Sequence, residues 1–139
     1  MKILILLISF LTFSNKNVEN IKEYSDKEMK ILQDINTYRN SLGLTSLENN
    51  AFVSTICLEH NHYMISSGEF SHNGFENRAE KIKKHTNTTK IGECLSHNFD
   101  NPVPEWIRSE PHRRTLETAS YTKIGISFKE GYCTIILIR

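Results

Sequence analysis

The stretch KIGISFKEGYCTIILIR, residues 123–139, carries the clearest secondary-structure signal in the chain. Apolar residues alternate from Ile124 to Phe128, which is the pattern of a strand that buries one face. Glu130-Gly131 is a turn signal, and the YCTIILIR segment that follows has the apolar run of a mostly buried strand. The sequence therefore predicts an antiparallel β-hairpin over these residues.

Helices are predicted ahead of this hairpin. Ser25 and Glu28 have the spacing of a capping box, and apolar residues recur at helical intervals from Ile31 to Leu42, before Gly43 closes the helix. Two amphipathic helices ahead of a small antiparallel sheet, with a helix between strands, indicate an α+β layered domain. The other predicted elements are a helix from Glu48 to Met64, a short helix around Arg78 to Lys84, a strand over KIGECLSHN (90–98) and a short helix over PEWIRS (104–109).

The composition fits one domain with balanced charge. The chain has 139 residues, of which 38% are hydrophobic and 24% are charged, and this is enough for a modest core. Its 17 basic and 16 acidic residues give a formal net charge of +1. We therefore expect no surface of the kind that binds nucleic acid or an anionic membrane.

The first residues are typical of an export signal. Residues 1–14 are predicted to be a signal peptide, because Lys2 precedes an apolar run of 11 residues that is too short to span a bilayer. An uncleaved signal anchor is the alternative. Residues 15–25 are then a polar linker and residues 26–139 the domain. No second apolar segment of membrane length follows, so we expect a secreted, extracellular or periplasmic product without a membrane span in its mature chain.

The cysteines have two interpretations. Cys57, Cys94 and Cys133 lack the spacing of a zinc knuckle or a redox C-x-x-C pair. In an oxidising compartment they would form one disulfide and leave one thiol, and Cys94 and Cys133 are the predicted pair because both fall in predicted strands. Alternatively, all three are buried thiols that behave as small hydrophobic residues.

Three polar residues stand apart as candidates for a site. His72, Glu93 and His112 each lie at the edge of a predicted element, where functional side chains are commonly placed. His60 lies on the apolar stripe of the second helix and is expected to pack there with one ring nitrogen satisfied. The remaining histidines are interpreted as surface residues, and they are His62, His85 and His97.

Six segments together resemble a known family. In chain order they are INTYRNSLGLTSL, CLEHNHYM, FSHNGFENR, IGEC, WIRSEPHRR and YTKIGIS. This series is similar to that of the CAP superfamily, which includes cysteine-rich secretory proteins, insect venom antigen 5 and plant pathogenesis-related proteins, and in particular to its compact bacterial-type branch. The resemblance covers about Glu28 to Arg139. It implies a three-layer α-β-α sandwich with a small central antiparallel sheet and a large open cleft.

The resemblance also implies which residues line that cleft. His72 matches the first family histidine, Glu93 matches the glutamate of a Gly-Glu-Asn motif, and His112 matches the second histidine. Arg78 matches the arginine that follows the first histidine, and we expect it to serve the fold by binding loop carbonyls or a carboxylate.

The chain departs from the family pattern at two positions. Cys94 replaces the asparagine of the Gly-Glu-Asn motif. Ser109 stands three residues after Trp106, which we expect to be structural, at the position of the second cleft acid. Glu110 is adjacent and is the candidate substitute, so Ser109 and Glu110 are both expected in the cleft.

Three functions are compatible with these features. The favoured one is an exported binding module whose cleft takes a small ligand, lipid, peptide or cell-surface partner. It requires no cofactor, although His72 and His112 could bind Zn²⁺ weakly. The second is a peptidase-like hydrolase in which His72, Glu93 and His112 activate a water or a serine such as Ser71 or Ser109. The third is a structural envelope protein with a vestigial cleft.

Overall fold

The computed structural model of the chain describes residues 24–139. The predicted signal peptide and residues 15–23 of the predicted linker lie outside the described residues. Tyr24 and Ser25 belong to the domain itself, because Tyr24 shares a hydrogen bond with Ser54 and Ser25 caps the first helix. The helices are α1 (Asp26–Ser41), α2 (Ala51–Ser67), α3 (Phe75–Thr86), α4 (Val103–Arg108) and α5 (Glu110–Leu116), and the strands are β1 (Glu48–Asn49), β2 (Ile91–His97), β3 (Lys123–Lys129) and β4 (Tyr132–Ile138).

The predicted hairpin forms the centre of the sheet. The strand order is β1-β3-β4-β2, and β4 pairs antiparallel with both of its neighbours. Lys129 pairs with Tyr132 across a two-residue loop in which Glu130 and Gly131 have φ angles of 49° and 82°. Positive φ at both positions is the signature of a type I′ turn, whose twist matches that of the strands.

Each face of the sheet packs on its own set of helices. Side chains alternate along β4, so Ile135 and Leu137 lie in a core with residues of α1, α4 and α5. Ile136 and Ile138 lie in a second core with residues of α2 and α3. The fold is therefore an α+β sandwich of three layers, and the predicted fold class is confirmed.

Close packing of α2 on β3 depends on Gly125. A Cβ atom at this position would lie 2.4 Å from the main-chain carbon of Val53 and 2.5 Å from the nitrogen of Ser54. Real Cβ atoms do not approach backbone this closely, so only glycine allows the helix to rest directly on the strand.

Strand β1 pairs with β3 only at Lys123 and Ile124, and side chains bond the outward main-chain nitrogens of β3 after that point. The Ser54 hydroxyl accepts a hydrogen bond from the main-chain nitrogen of Ile126 (3.1 Å). Oε1 of Glu28 accepts one from the nitrogen of Phe128 (2.9 Å). Glu28 also completes the predicted capping box, because Oε2 accepts from the nitrogen of Ser25 (2.9 Å). Glu28, in the first turn of α1, thus ties that helix to the sheet.

Several predicted boundaries are wrong. Glu48 and Asn49 form a short strand parallel to β3, so the sheet is not wholly antiparallel. Helix α2 begins only at Ala51, because the Asn50 side chain accepts a hydrogen bond from the nitrogen of Val53 and caps it. The third helix begins at Phe75 rather than near Arg78.

Helix α5 is not among the elements that the sequence predicts. Its seven residues, EPHRRTL, are too few and too polar to show a helical period.

In the part of the chain from Tyr24 onward, no helix combines the length and the apolarity needed to cross a membrane.

The predicted disulfide between Cys94 and Cys133 is wrong. Cys94 pairs with Ile135 and Cys133 pairs with Ser96, so the two cysteines are diagonal neighbours on adjacent strands. Diagonal side chains are roughly 7–8 Å apart, whereas a disulfide needs Cβ atoms about 4 Å apart. Cys57, Cys94 and Cys133 are all buried thiols, as in the alternative interpretation.

Candidate functional site

The Glu93 carboxylate is held in a closed network on the α2–α3 side of the edge strand β2. Its side chain is only 2% exposed. Arg78, in the first turn of α3, donates from Nε to Oε2 (2.9 Å) and from Nη2 to Oε1 (2.7 Å). This is the bidentate fork geometry that guanidinium and carboxylate groups favour.

Arg78 also fixes the loop that carries His72. Nη1 of Arg78 donates to the carbonyl oxygen of Asn73 (2.7 Å), and Nη2 lies 3.3 Å from that of His72. Gly74 follows with a φ of 76° and leads into α3. The arginine therefore binds both a carboxylate and loop carbonyls.

His72 completes the network from the solvent side. Its Nδ1 lies 2.8 Å from Oε1 of Glu93, while 54% of its side chain is exposed. An ionised carboxylate can only accept, so Nδ1 of His72 carries a proton and donates it to Glu93.

His112 lies on the opposite side of β2. It belongs to α5, and its carbonyl oxygen is 4.0 Å from Sγ of Cys94. Burial lowers the pKa of His112, and the charge of nearby His72 lowers it further. The neutral imidazole is therefore favoured near neutral pH. The two family histidines flank the edge of β2 from its two faces.

A cavity of about 260 Å³ lies beside His112, between β2, α4 and the start of α5. Trp106 forms its buried wall and donates from Nε1 to the carbonyl oxygen of Leu95 (2.9 Å). Phe70 and Phe99 stand at its mouth, 51% and 43% exposed. Large apolar side chains exposed beside a cavity are typical of a binding site rather than of a plain surface.

Polar groups of the cavity include an orphan hydroxyl. Ser96 lines the cavity, and its Oγ is buried with no hydrogen-bond partner in the described part of the chain. Buried polar atoms are nearly always bonded, and of the three unpartnered buried hydroxyls in the described residues, those of Ser96, Ser120 and Ser127, only that of Ser96 belongs to a residue that lines this cavity. The other polar residues that line the cavity include Glu105, Ser109 and His112.

Two residues were misjudged from the sequence. Glu110, expected in the cleft, is 60% exposed and pairs with Arg114 one helical turn further on. Glu105 lines the cavity in its place, although no spacing rule singled it out. His97, interpreted as a plain surface histidine, also lines the cavity and stacks on Tyr132 with ring centroids 3.9 Å apart.

His60 behaves as its position on the apolar stripe predicted. It is buried, and Nε2 lies 2.9 Å from the carbonyl oxygen of Ser71. Burial lowers its pKa, and the charge of Arg78 adds to this. A second cavity, of about 310 Å³, lies beside His60 and Arg78, but the Arg78 nitrogens there already have partners.

The arrangement contains no assembled nucleophile and base. Within residues 24–139, neither Ser71 nor Ser109 has its hydroxyl in a hydrogen bond with a histidine, and the Ser71 hydroxyl instead lies 3.4 Å from the nitrogen of Asn73. Both oxygens of Glu93 are already bonded to Arg78. In the same range, no three His, Cys, Asp or Glu side chains come together as a metal site.

Comparison with known proteins identifies the family. Residues 32–136 match the CAP family, described as the cysteine-rich secretory protein family. The chain belongs to the CAP family. Among curated proteins it is 29% identical over 132 residues to an uncharacterized membrane protein, YlbC, of Bacillus subtilis. That match covers 91% of this chain but only 38% of YlbC, so this chain corresponds to part of that relative.

Solved CAP-fold structures superpose well on the chain. A cysteine-rich secretory protein from Staphylococcus aureus gives a TM-score of 0.74 at 20% identity, covering 88% of this chain and 40% of that one. An extracellular protein with an SCP domain from Bacillus anthracis gives 0.74 at 21% identity, covering 81% and 40%. An outer surface protein from Borrelia burgdorferi gives 0.72 at 20% identity, covering 84% and 96%. At these identities the likeness establishes the fold.

Proposed function

We propose that this CAP domain is a ligand-binding module that acts outside the cytoplasm and takes an apolar group of its ligand into the cavity beside Trp106. The observation that carries the proposal is a concave, aromatic-walled site with an unpartnered buried hydroxyl, Ser96. Sites of this kind combine apolar walls with a few polar groups that orient the ligand.

The network around Glu93 supports binding over hydrolysis. A general base needs a lone pair that faces the substrate, but both Glu93 oxygens accept hydrogen bonds from Arg78 and the side chain is buried. The carboxylate is therefore placed to stabilise the loop before α3. His72 and His112 remain available to a ligand as hydrogen-bonding groups.

The export signal predicted over residues 1–14 supports a location outside the cytoplasm. Two structural neighbours are named an extracellular protein and an outer surface protein, while YlbC is named a membrane protein. These names describe the neighbours, and a fractionation experiment on the full chain in its host would test the location of this one.

The chain's single tryptophan offers a direct test of the cavity. Decanoate and N-acetylphenylalaninamide, titrated into the protein, are expected to change the fluorescence of Trp106. Phe99→Ala removes an exposed wall of the cavity and is expected to weaken binding about tenfold, or roughly 1.4 kcal/mol. Tyr63→Ala, an exposed aromatic residue at the second cavity, is the matched control and should bind as the wild type does. Absence of any fluorescence change, or equal loss in both variants, would refute the proposal.

Zinc is expected to bind only weakly at His72 and His112. Two protein ligands fall below the three that catalytic zinc sites usually have. Calorimetric titration with zinc chloride should show weak binding that disappears in both His72→Ala and His112→Ala. Tight binding that survives either substitution would place the metal elsewhere.

A further inference from the structure

The hairpin turn determines which main-chain groups of β2 face outward. Residues that flank a two-residue hairpin loop form a hydrogen-bonded pair, and bonded pairs alternate along an antiparallel ladder. Since Lys129 and Tyr132 flank the loop, Tyr132 and every second residue after it bond to β3. The intervening residues of β4 bond to β2, where their partners are Gly92, Cys94 and Ser96.

The remaining residues of β2 turn their main-chain groups away from the sheet. Glu93 and Leu95 are the central ones. The indole of Trp106 donates to the Leu95 carbonyl oxygen, which is possible because that oxygen points away from β4. The register turns the main-chain nitrogen and carbonyl oxygen of Glu93 away from β4, and within residues 24–139 neither has a hydrogen-bond partner outside the sheet. The side chain of Glu93 is 2% exposed, yet the residue as a whole is partly exposed, so its exposed part is main chain.

The opposite edge of the sheet shows that open main-chain groups are not a general feature of this fold. On β3 the corresponding outward nitrogens of Ile126 and Phe128 are bonded by Ser54 and Glu28. Proteins commonly cover or block their edge strands, because an open edge can pair with another chain. The edge of β2 at Glu93 is left open beside the proposed binding cavity.

We propose that the ligand is an extended peptide segment that pairs with the main chain of Glu93 and places an apolar side chain in the cavity. This inference rests on the proposed function and names its ligand class. An extended peptide supplies both a donor and an acceptor at strand spacing, which an acyl chain does not. The peptide can pair with β2 only as far as Glu93, because the indole of Trp106 already occupies the Leu95 carbonyl oxygen. The same indole forms a wall of the cavity, so the open edge and the cavity form one continuous site.

The test uses the full chain and a pooled peptide library of form Ac-X-X-Phe-X-X-NH2, where X excludes cysteine and proline. The tightest peptide is then resynthesised with single N-methyl groups, each of which removes one main-chain donor. We expect it to bind at least tenfold more tightly than N-acetylphenylalaninamide. N-methylation at the paired position should weaken binding at least tenfold, and at the adjacent positions less than twofold.

Amide hydrogen exchange locates the contact on the protein. Binding should slow exchange at the outward amide of Glu93. The amide of Cys94, which already faces β4, is the internal control and should not change.

The outcomes separate the two proposals. If decanoate or N-acetylphenylalaninamide binds as tightly as every peptide, or if N-methylation has no positional effect, the edge-pairing inference is wrong and the cavity function stands. If peptides bind without slowing exchange at Glu93, the inference is likewise wrong. If no probe binds, both proposals are wrong.

Discussion

The pairing of Arg78 with Glu93 predicts a large energetic coupling between two residues 15 positions apart. Arg78→Met leaves a buried carboxylate without its fork, and breaking a buried ion pair costs about 3–5 kcal/mol. We expect a cost of about 3 kcal/mol, at the low end of that range, because His72 still bonds Oε1. Glu93→Leu is expected to cost about 2 kcal/mol, since Arg78 keeps its bond to the Asn73 carbonyl oxygen. The double variant buries no unpaired charge and should cost about 3 kcal/mol, which is roughly 2 kcal/mol less than the sum.

Urea unfolding followed by Trp106 fluorescence measures these free energies. A second cycle on Lys81 and Glu59 is the control, because that ion pair is exposed and 3.4 Å long. Exposed pairs contribute little, so its coupling should stay below about 0.5 kcal/mol. If the Arg78 and Glu93 substitutions are additive within about 0.5 kcal/mol, the carboxylate does not depend on the arginine and the structural assignment of the network fails.

Three further predictions concern the core. Gly125→Ala should cost about 3 kcal/mol in the same assay, because the added Cβ meets the backbone of α2; a cost below about 1 kcal/mol would contradict this. Burial lowers the pKa of His60 in the folded protein. As pH drops from about 7, this histidine is therefore protonated in the unfolded chain before it is protonated in the folded one, and stability falls until the folded-state pKa is passed. Between pH 5 and 8, the melting temperature of His60→Gln should therefore depend less on pH than that of the wild type, while His62→Gln should behave as the wild type does. Equal pH dependence in all three proteins would refute this. Burial raises the pKa of the Cys94 thiol to about 12, and all three cysteines are buried, so DTNB should react only after unfolding; rapid labelling of the native protein would contradict this.

Elements with a strong local cause were predictable. The capping box at Ser25 and the turn at Glu130-Gly131 each specify backbone geometry through adjacent residues, and both are present as expected. Strand β1 has no such signal, because its two residues become a strand only by pairing with β3 in the folded chain. The diagonal offset of Cys94 and Cys133 is likewise set by strand register, which composition does not encode.

Only part of the candidate site could be predicted from the sequence. His72 and Glu93 are 21 residues apart and meet through a loop that Arg78 holds, so the family resemblance, not spacing, suggested their proximity. The cavity draws its walls from the loops around Phe70 and Phe99 and from α4. Loop residues have no periodicity that could reveal such a set. Glu110 was the candidate acid only because it follows Ser109, and in helix α5 its side chain pairs with Arg114.

Glu93 contributes its side chain to the ion pair with Arg78 and its main chain to the open edge of β2. Its side chain is fully engaged by Arg78 and His72 on one face of the sheet, and its neighbour Cys94 packs beside α5 on the other. Both contacts hold β2 in place while the main chain of Glu93 remains open at the edge. A rigid edge loses little conformational entropy when a partner strand pairs with it, so preorganisation of this kind strengthens binding without adding contacts. The ion pair between Arg78 and the Glu93 carboxylate therefore also favours the edge of β2 as a binding surface. Pairing at this edge uses main-chain groups, so it does not require a second acidic residue at the position of Ser109.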